Sequence, residues 1–216
     1  LPWNDTDEFN DFRIRGTGLS FEAFEKQGYV TVPRKYKKHE QSGFKTPTGK
    51  VELYSTVFEK LGYDPLPSFT EPPQSPTSTP ELLKDYPLIL ITGGRHLGYF
   101  HSEGRQIPSL RKLVPDPQIL IHPSTAKQKG ISAGDWVWIE TPQVKGERVQ
   151  LKVKLDPDID PRVVHADHAW WFPERPAPEH GCFDSNIAVV LTDDPPRDPI
   201  CGSVPTRGTL CRIYRD

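Results

Sequence analysis

The 216-residue sequence contains no methionine, not even an initiator, so it reads as a piece of a longer protein. No apolar run approaches the roughly 18 residues that a membrane span needs, and the start does not resemble a signal peptide. Cysteine is scarce. Cys182, Cys201 and Cys211 are the only three, with no CxxC pair among them. That excludes a dense disulfide framework and gives no iron–sulfur or structural zinc pattern, while leaving room for a single bridge. A dominant charge of either sign is missing too. The formal net charge is −2 and acids and bases are interspersed, so there is no basic field for nucleic acid or a membrane surface. Nothing in this fixes a compartment; bacterial cytoplasm and periplasm both stay open.

What the chain does have is proline. Its 24 prolines are roughly double the usual share, which predicts few long helices. Composition divides the sequence into an arm and connector over 1–84 and a compact body over 85–216. In the arm, Ser20 is suited to cap a short helix over Phe21 to Gln27 that Gly28 ends. Lys50 to Tyr54 reads as a strand, and Ser55 caps a second short helix stopping at Gly62. Six prolines between Asp64 and Tyr86 predict an extended connector.

The body reads as short strands. Leu88 to Thr92 (LILIT) and Gln118 to His122 (QILIH) are continuous apolar runs, as in strands buried on both faces. Pro108 and Pro123 are placed to open short helices, the second closing at Gly130. Alternation around Trp136 and Trp138, and again at Val149, Leu151, Val153 and Leu155, predicts a hairpin across TPQVKG. Arg162 to His165 and Thr209 to Tyr214 complete six strands. A mainly β fold with short helices, closed into a six-stranded barrel, fits this pattern better than an open doubly wound sheet.

Three segments carry candidate chemistry. After the first strand comes ITGGRHLGYFHS. Gly93 and Gly94 let backbone amides approach a ligand, Arg95 suits a phosphate or carbonyl pair, and His96, His101 and Ser102 add donors. Read alone, the segment is more simply a polar glycine turn, and it lacks the order of either common nucleotide loop. The second is HADHAWWFPE with His180 and Cys182 just beyond, where two histidines, an aspartate and a cysteine within 18 residues (His165, Asp167, His168 and Cys182) invite a metal reading that known ligand spacings do not support. Its Trp170, Trp171 and Phe172 read as an aromatic plug for one end of the barrel. The third is the tail, where Asn186 suits a heterocycle edge and Arg207 a phosphate, each also explicable as a turn residue or solvated charge.

In their order along the chain these pieces resemble one family. GFKTPTGKVELYS and GYDPLPSF are similar to the stretch preceding the terminal domain of molybdopterin oxidoreductases of the dimethyl sulfoxide reductase family. LILITGGRHLGYFHS resembles that domain's opening strand and cofactor loop. ILIHPSTAKQKGISAGDWVWIETPQVKGERVQLKVKL resembles its central signature, and HAWWFPE, Asn186, DPICG and LCRIY its last third. The likeness runs from about Gly43 to the end. Thr125 stands where aspartate is common, Ala169 where glycine is common, and Arg207 where lysine is more usual.

The resemblance implies a six-stranded double-psi β-barrel, preceded by an irregular α+β arm, that helps hold molybdopterin guanine dinucleotide carrying molybdenum or tungsten. Thr92, Gly93, Gly94, Arg95 and His96 are implied to line one pterin or its diphosphate. His101, Ser102, Asp167, His168, Asn186 and Arg207 are implied to add contacts. The metal's protein ligand and the iron–sulfur cysteines are implied to lie in earlier domains, leaving this chain no catalytic or metal-ligating residue. The preceding domains of the same polypeptide become its main partner, with an electron-transfer subunit as a further one. The tail is most like the thiosulfate and polysulfide reductase and acetylene hydratase branch. Two other classes stand beside this: a free-standing barrel binding nucleotides or peptides, and a small metal-dependent hydrolase using His165, Asp167 and His168.

Overall fold

The computed structural model describes residues 2–31 and 33–215. They fall into two compact units, Leu1–Leu66 and Pro67–Asp216.

The first unit is short helices and turns. α1 (Thr6–Ile14) begins at Asp5, whose carboxylate accepts from the Glu8 N–H at 2.9 Å. The sequence reading did not anticipate this helix. α2 (Phe21–Gln27) forms as expected, capped by Ser20 and ended by Gly28 at φ +80. α3 (His39–Ser42) is a single turn, and α4 (Thr56–Lys60) is capped by Ser55 and stops before Gly62 at φ +77. The strand expected over Lys50 to Tyr54 does not form. A strand needs a neighbour for its backbone groups, and among the described residues nothing pairs with this one. Val51 and Leu53 stand 62% and 84% exposed. No described residue between 2 and 66 is buried, so the unit lacks a core of its own.

The second unit holds the barrel. β1 (Leu88–Gly94), β2 (Gln118–Ile121), β3 (Trp136–Glu140), β4 (Val149–Leu155), β5 (Val163–Asp167) and β6 (Thr209–Tyr214) close in the order β1-β5-β2-β4-β3-β6. Pairs β1–β5 and β2–β4 are parallel and the rest antiparallel. The β3–β4 hairpin is where alternation predicted it. Closure leaves no free edge. Inward residues make one core: Leu90, Ile119, Ile121, Val137, Ile139, Leu151 and Val164 are each fully buried. LILIT and QILIH differ from expectation. Only alternate residues are fully buried, and Ile89, Ile91 and Leu120 on the outer face are partly exposed, because a barrel has one interior and helices cover its outside only in places.

Around the barrel, α5 (Pro108–Arg111) and α6 (Pro123–Gln128) each carry proline in the first turn, and α7 (Cys182–Ser185) leads into a 3-10 turn, Ile187–Val190. The Pro-rich connector is less extended than expected. Pro80–Lys84 forms a 3-10 helix, Ser75 is buried, and Gln74 O accepts from the Leu210 N–H of β6 at 3.1 Å. All three cysteines are free, so the possible bridge is not made. Cys211 faces the core, where burial pushes its thiol far above the ordinary value.

Candidate functional site

The parallel pairing of β1 with β5 builds the site. Register runs Ile91↔His165 and Thr92↔Ala166, then shifts so that Gly94 faces Asp167 and Gly93 is left out of the ladder. Because the strands run the same way, the loops leaving both emerge at one end of the barrel. His96, His101, His165 and His168 gather there from two distant stretches of sequence.

A cleft of about 380 Å³ opens at this end. Thr92, Gly93, Arg95, His101, His168, Asn186 and Arg207 line it. The Thr92 hydroxyl donates to Thr206 O at 3.0 Å, tying the tail against β1. A Cβ on Gly93, which has φ +89, would lie 3.0 Å from the Arg207 guanidinium, so that cation rests directly over bare backbone. Asn186 Oδ1 caps the following 3-10 turn by accepting from the Ala188 N–H at 3.1 Å. Ile187 and Leu191 supply an apolar wall.

A small hollow adjoins the cleft, lined by Gly94, His96 and Asp167 together with Arg105. Asp167 is buried, and one carboxylate oxygen meets both His96 Nε2 at 2.9 Å and the Gln118 N–H at 2.8 Å. His168 Nδ1 lies 3.2 Å from Gly94 O, and His168 Nε2 lies 3.2 Å from His101 Nδ1. A carbonyl only accepts, so His168 carries its proton on Nδ1. Burial pulls His168 below the usual histidine range, with Arg95, Arg105 and His101 adding to that against the Gly94 hydrogen bond. A neutral His168 therefore presents a bare Nε2, and His101 donates to it from Nδ1. His165 is likewise pulled down by burial, with Asp167 opposing.

Ten of the eleven sequence-nominated residues thus line the cleft or the hollow. Ser102 lines neither; it is exposed, and its carbonyl accepts from the Trp171 indole N–H at 2.7 Å. Asp167, His168 and His165 do not form a metal site: among the described residues no three of His, Cys, Asp and Glu converge on one point. Sequence reading missed Arg105, which is 3% exposed, because nothing in HSEGRQ marks that arginine as buried.

Ala169, in the cleft wall, has φ +54. A Cβ in that region costs about 1–2 kcal/mol. Ala169→Gly is expected to stabilise by about 0.5–1 kcal/mol, after allowing for glycine's greater freedom in the unfolded chain. A higher urea midpoint at unchanged slope is the measurement; no rise would mean that the loop carries no such strain.

Residues 88–210 match the family described as the molydopterin dinucleotide binding domain. The chain belongs to that family. Acetylene hydratase of Syntrophotalea acetylenica is 42% identical over 222 residues, covering 100% of this chain and 30% of that protein. Dopamine dehydroxylase of Eggerthella lenta is 40% identical over 177 residues, covering 80% and 17%. Among solved structures, acetylene hydratase from Pelobacter acetylenicus superposes with a TM-score of 0.82 at 40% identity, over 100% of this chain and 30% of that one. The chain thus spans less than a third of the length of these relatives. It is the dinucleotide-binding part of a larger enzyme of the dimethyl sulfoxide reductase family, whose cofactor is molybdopterin guanine dinucleotide with molybdenum or tungsten. The free-standing module and the metal-dependent hydrolase are not favoured. The donor set suits the cofactor: the exposed guanidiniums of Arg95 and Arg207, the second over the Gly93 backbone, for an anion, and an amide edge with an apolar wall for a flat heterocycle.

Proposed function

We propose that the cleft at the β1–β5 end of the barrel grips and orients the dinucleotide through Arg95 and Arg207 on its diphosphate or a pterin carbonyl. Asn186 would read a heterocycle edge beside Ile187 and Leu191, while Thr92, Gly93, His101 and His168 form the wall. When bound, the cofactor supplies redox chemistry at its metal; the protein supplies position and electrostatics. The observation that carries this reading is the Arg207 guanidinium held over Gly93, facing a cleft that Arg95 also lines. Gly94, His96 and Asp167 act one layer back, and Ser102 contributes through the loop that holds it. Alone, the chain is expected to show no reductase activity, since the metal ligand and cluster cysteines belong to other domains.

The test is Arg95→Ala in the full-length enzyme. Loss of a charge-assisted contact costs about 1.5–3 kcal/mol, or roughly ten- to a hundredfold in cofactor affinity, read as a fall in bound metal. Melting temperature should not move, because Arg95 is exposed and its guanidinium lies over the exposed Phe100 ring, 5.6 Å from the centroid. Unchanged metal content would make the loop purely structural.

The partner follows from the first unit. Tyr36, Leu53 and Leu61 stand 87%, 84% and 65% exposed in a segment with no buried residue. Such a surface is stable when other protein covers it, and we assign that role to the preceding domains, with an electron-transfer subunit as a further partner of the whole enzyme. Amides of α4 should exchange rapidly in the isolated chain and slowly in the full-length enzyme, while β1 and β2 are protected in both. Equal, strong protection of α4 in both would mean the segment is self-sufficient.

A further inference from the structure

We propose that Arg105 is a positioning residue for the cleft, acting from behind it through a polarised chain of two histidines that ends on the Gly93–Gly94 loop. The proposal rests on the cofactor-gripping reading given above. Arg105 lies between two rings, with its guanidinium carbon 4.8 Å from the Tyr99 centroid and 4.4 Å from that of Trp170. Its Nε is buried without a hydrogen-bond partner, and the carboxylates that favour its charge, Asp167 in the same hollow and Glu103, only partly oppose the effect of burial. Burial pulls its pKa downward. Stacking on aromatic faces offsets only part of the cost of burying a cation, so packing alone gives no reason for an arginine here.

What the guanidinium adds is one directed donor. Its Nη1 donates to His101 O at 2.8 Å. His101 sits at φ +51, in the left-handed region that few non-glycine residues adopt, asparagine, aspartate and histidine more readily than the rest. The Arg105 bond pins the carbonyl of that left-handed residue. With it pinned, the His101 ring donates from Nδ1 to His168, and His168 donates from its own Nδ1 to Gly94 O. The Gly94 carbonyl, which only accepts, sets the tautomer of His168 and through it that of His101, while the Arg105 bond holds the His101 backbone so that both rings keep their place behind Gly93 and Gly94. This is the relation an outer layer has to a binding residue: it chooses the orientation that residue presents.

The first test needs no substitution. In the isolated chain with ¹⁵N-labelled histidine, above the histidine titration range, both His101 and His168 should carry the proton on Nδ1. Single His→Gln variants assign the signals, and a proton on Nε2 of either ring overturns the relay. Arg105→Met, which keeps volume and removes the donor, should release both rings to mixed tautomers; Arg105→Lys should restore the ordered state in part. In the full-length enzyme Arg105→Met should lower bound metal roughly tenfold, the scale on which losing an outer-layer partner loosens a site. If Arg95→Ala empties the enzyme while Arg105→Met changes neither rings nor metal content, this proposal fails and the cleft reading stands. If Arg95→Ala has no effect, the cleft reading fails, and the wild-type tautomers still decide the relay. Should Arg105→Met not fold, those wild-type signals remain the deciding measurement.

Discussion

Gly94→Ala is expected to lower stability by about 1–3 kcal/mol, the usual range for forcing a carbon into a filled space. For a domain of this size that is a drop of roughly 3–10 °C in melting temperature. The new Cβ would lie 2.1 Å from His165 Cε1 and 2.2 Å from Nε2. Either the half-buried His165 ring turns away or β1 moves off β5. Moving β1 would break the Ile91↔His165 and Gly94↔Asp167 register and draw Gly94 O away from His168. In the full-length enzyme, cofactor content should therefore fall as well. His165→Ala in the same chain should recover part of the loss, giving a coupling on the order of 0.5–3 kcal/mol in a double-mutant cycle. Additive effects, or an unchanged melting temperature for Gly94→Ala, would show that the ring is not what demands glycine there.

That result bears on how far the sequence could be read. The glycine pair was legible as a place where backbone must stay bare, but the reason assigned to Gly94 was ligand approach. Its neighbour turns out to be a ring delivered by a strand some seventy residues later, and only the barrel's strand order supplies that fact. The strands themselves were legible because Val137 and Ile139, or Val149, Leu151 and Val153, report their own burial through a period of two. The same signal misled at Lys50 to Tyr54, where alternation is present and, among the described residues, no partner strand is. Asn186 was read as a heterocycle contact, yet its oxygen is also spent on a cap, leaving its amide N–H groups for the cleft. Arg105 was invisible for a physical reason. An arginine in a polar loop is normally solvated, and its burial depends on two rings whose positions the loop itself does not encode. The aromatic plug expected at HAWWFPE is half right: Trp170 and Phe172 are buried, with Tyr99 and Val114, in a cluster separate from the barrel core, while Trp171 lies against His180.

Trp170 carries the largest expected single loss in the second unit. Its side chain is 0% exposed, with Arg105 on it at 4.4 Å and Arg111 at 5.3 Å. Trp170→Ala should cost about 3–5 kcal/mol from the void alone, or roughly 10–15 °C. More follows if Arg105 and Arg111, each with one buried unpartnered nitrogen, also lose their aromatic face. Trp170→Phe separates these contributions. The indole N–H is itself buried without a hydrogen-bond partner, a state that costs about 1–3 kcal/mol, and phenylalanine removes it while keeping an aromatic face for the cations. Relief of that donor offsets the smaller volume, so the net change should stay within about 1.5 kcal/mol. Thermal denaturation of the two variants beside the parent measures both. If Trp170→Phe costs as much as Trp170→Ala, the N–H is satisfied in solution, and the two guanidiniums owe their burial to something other than the ring between them.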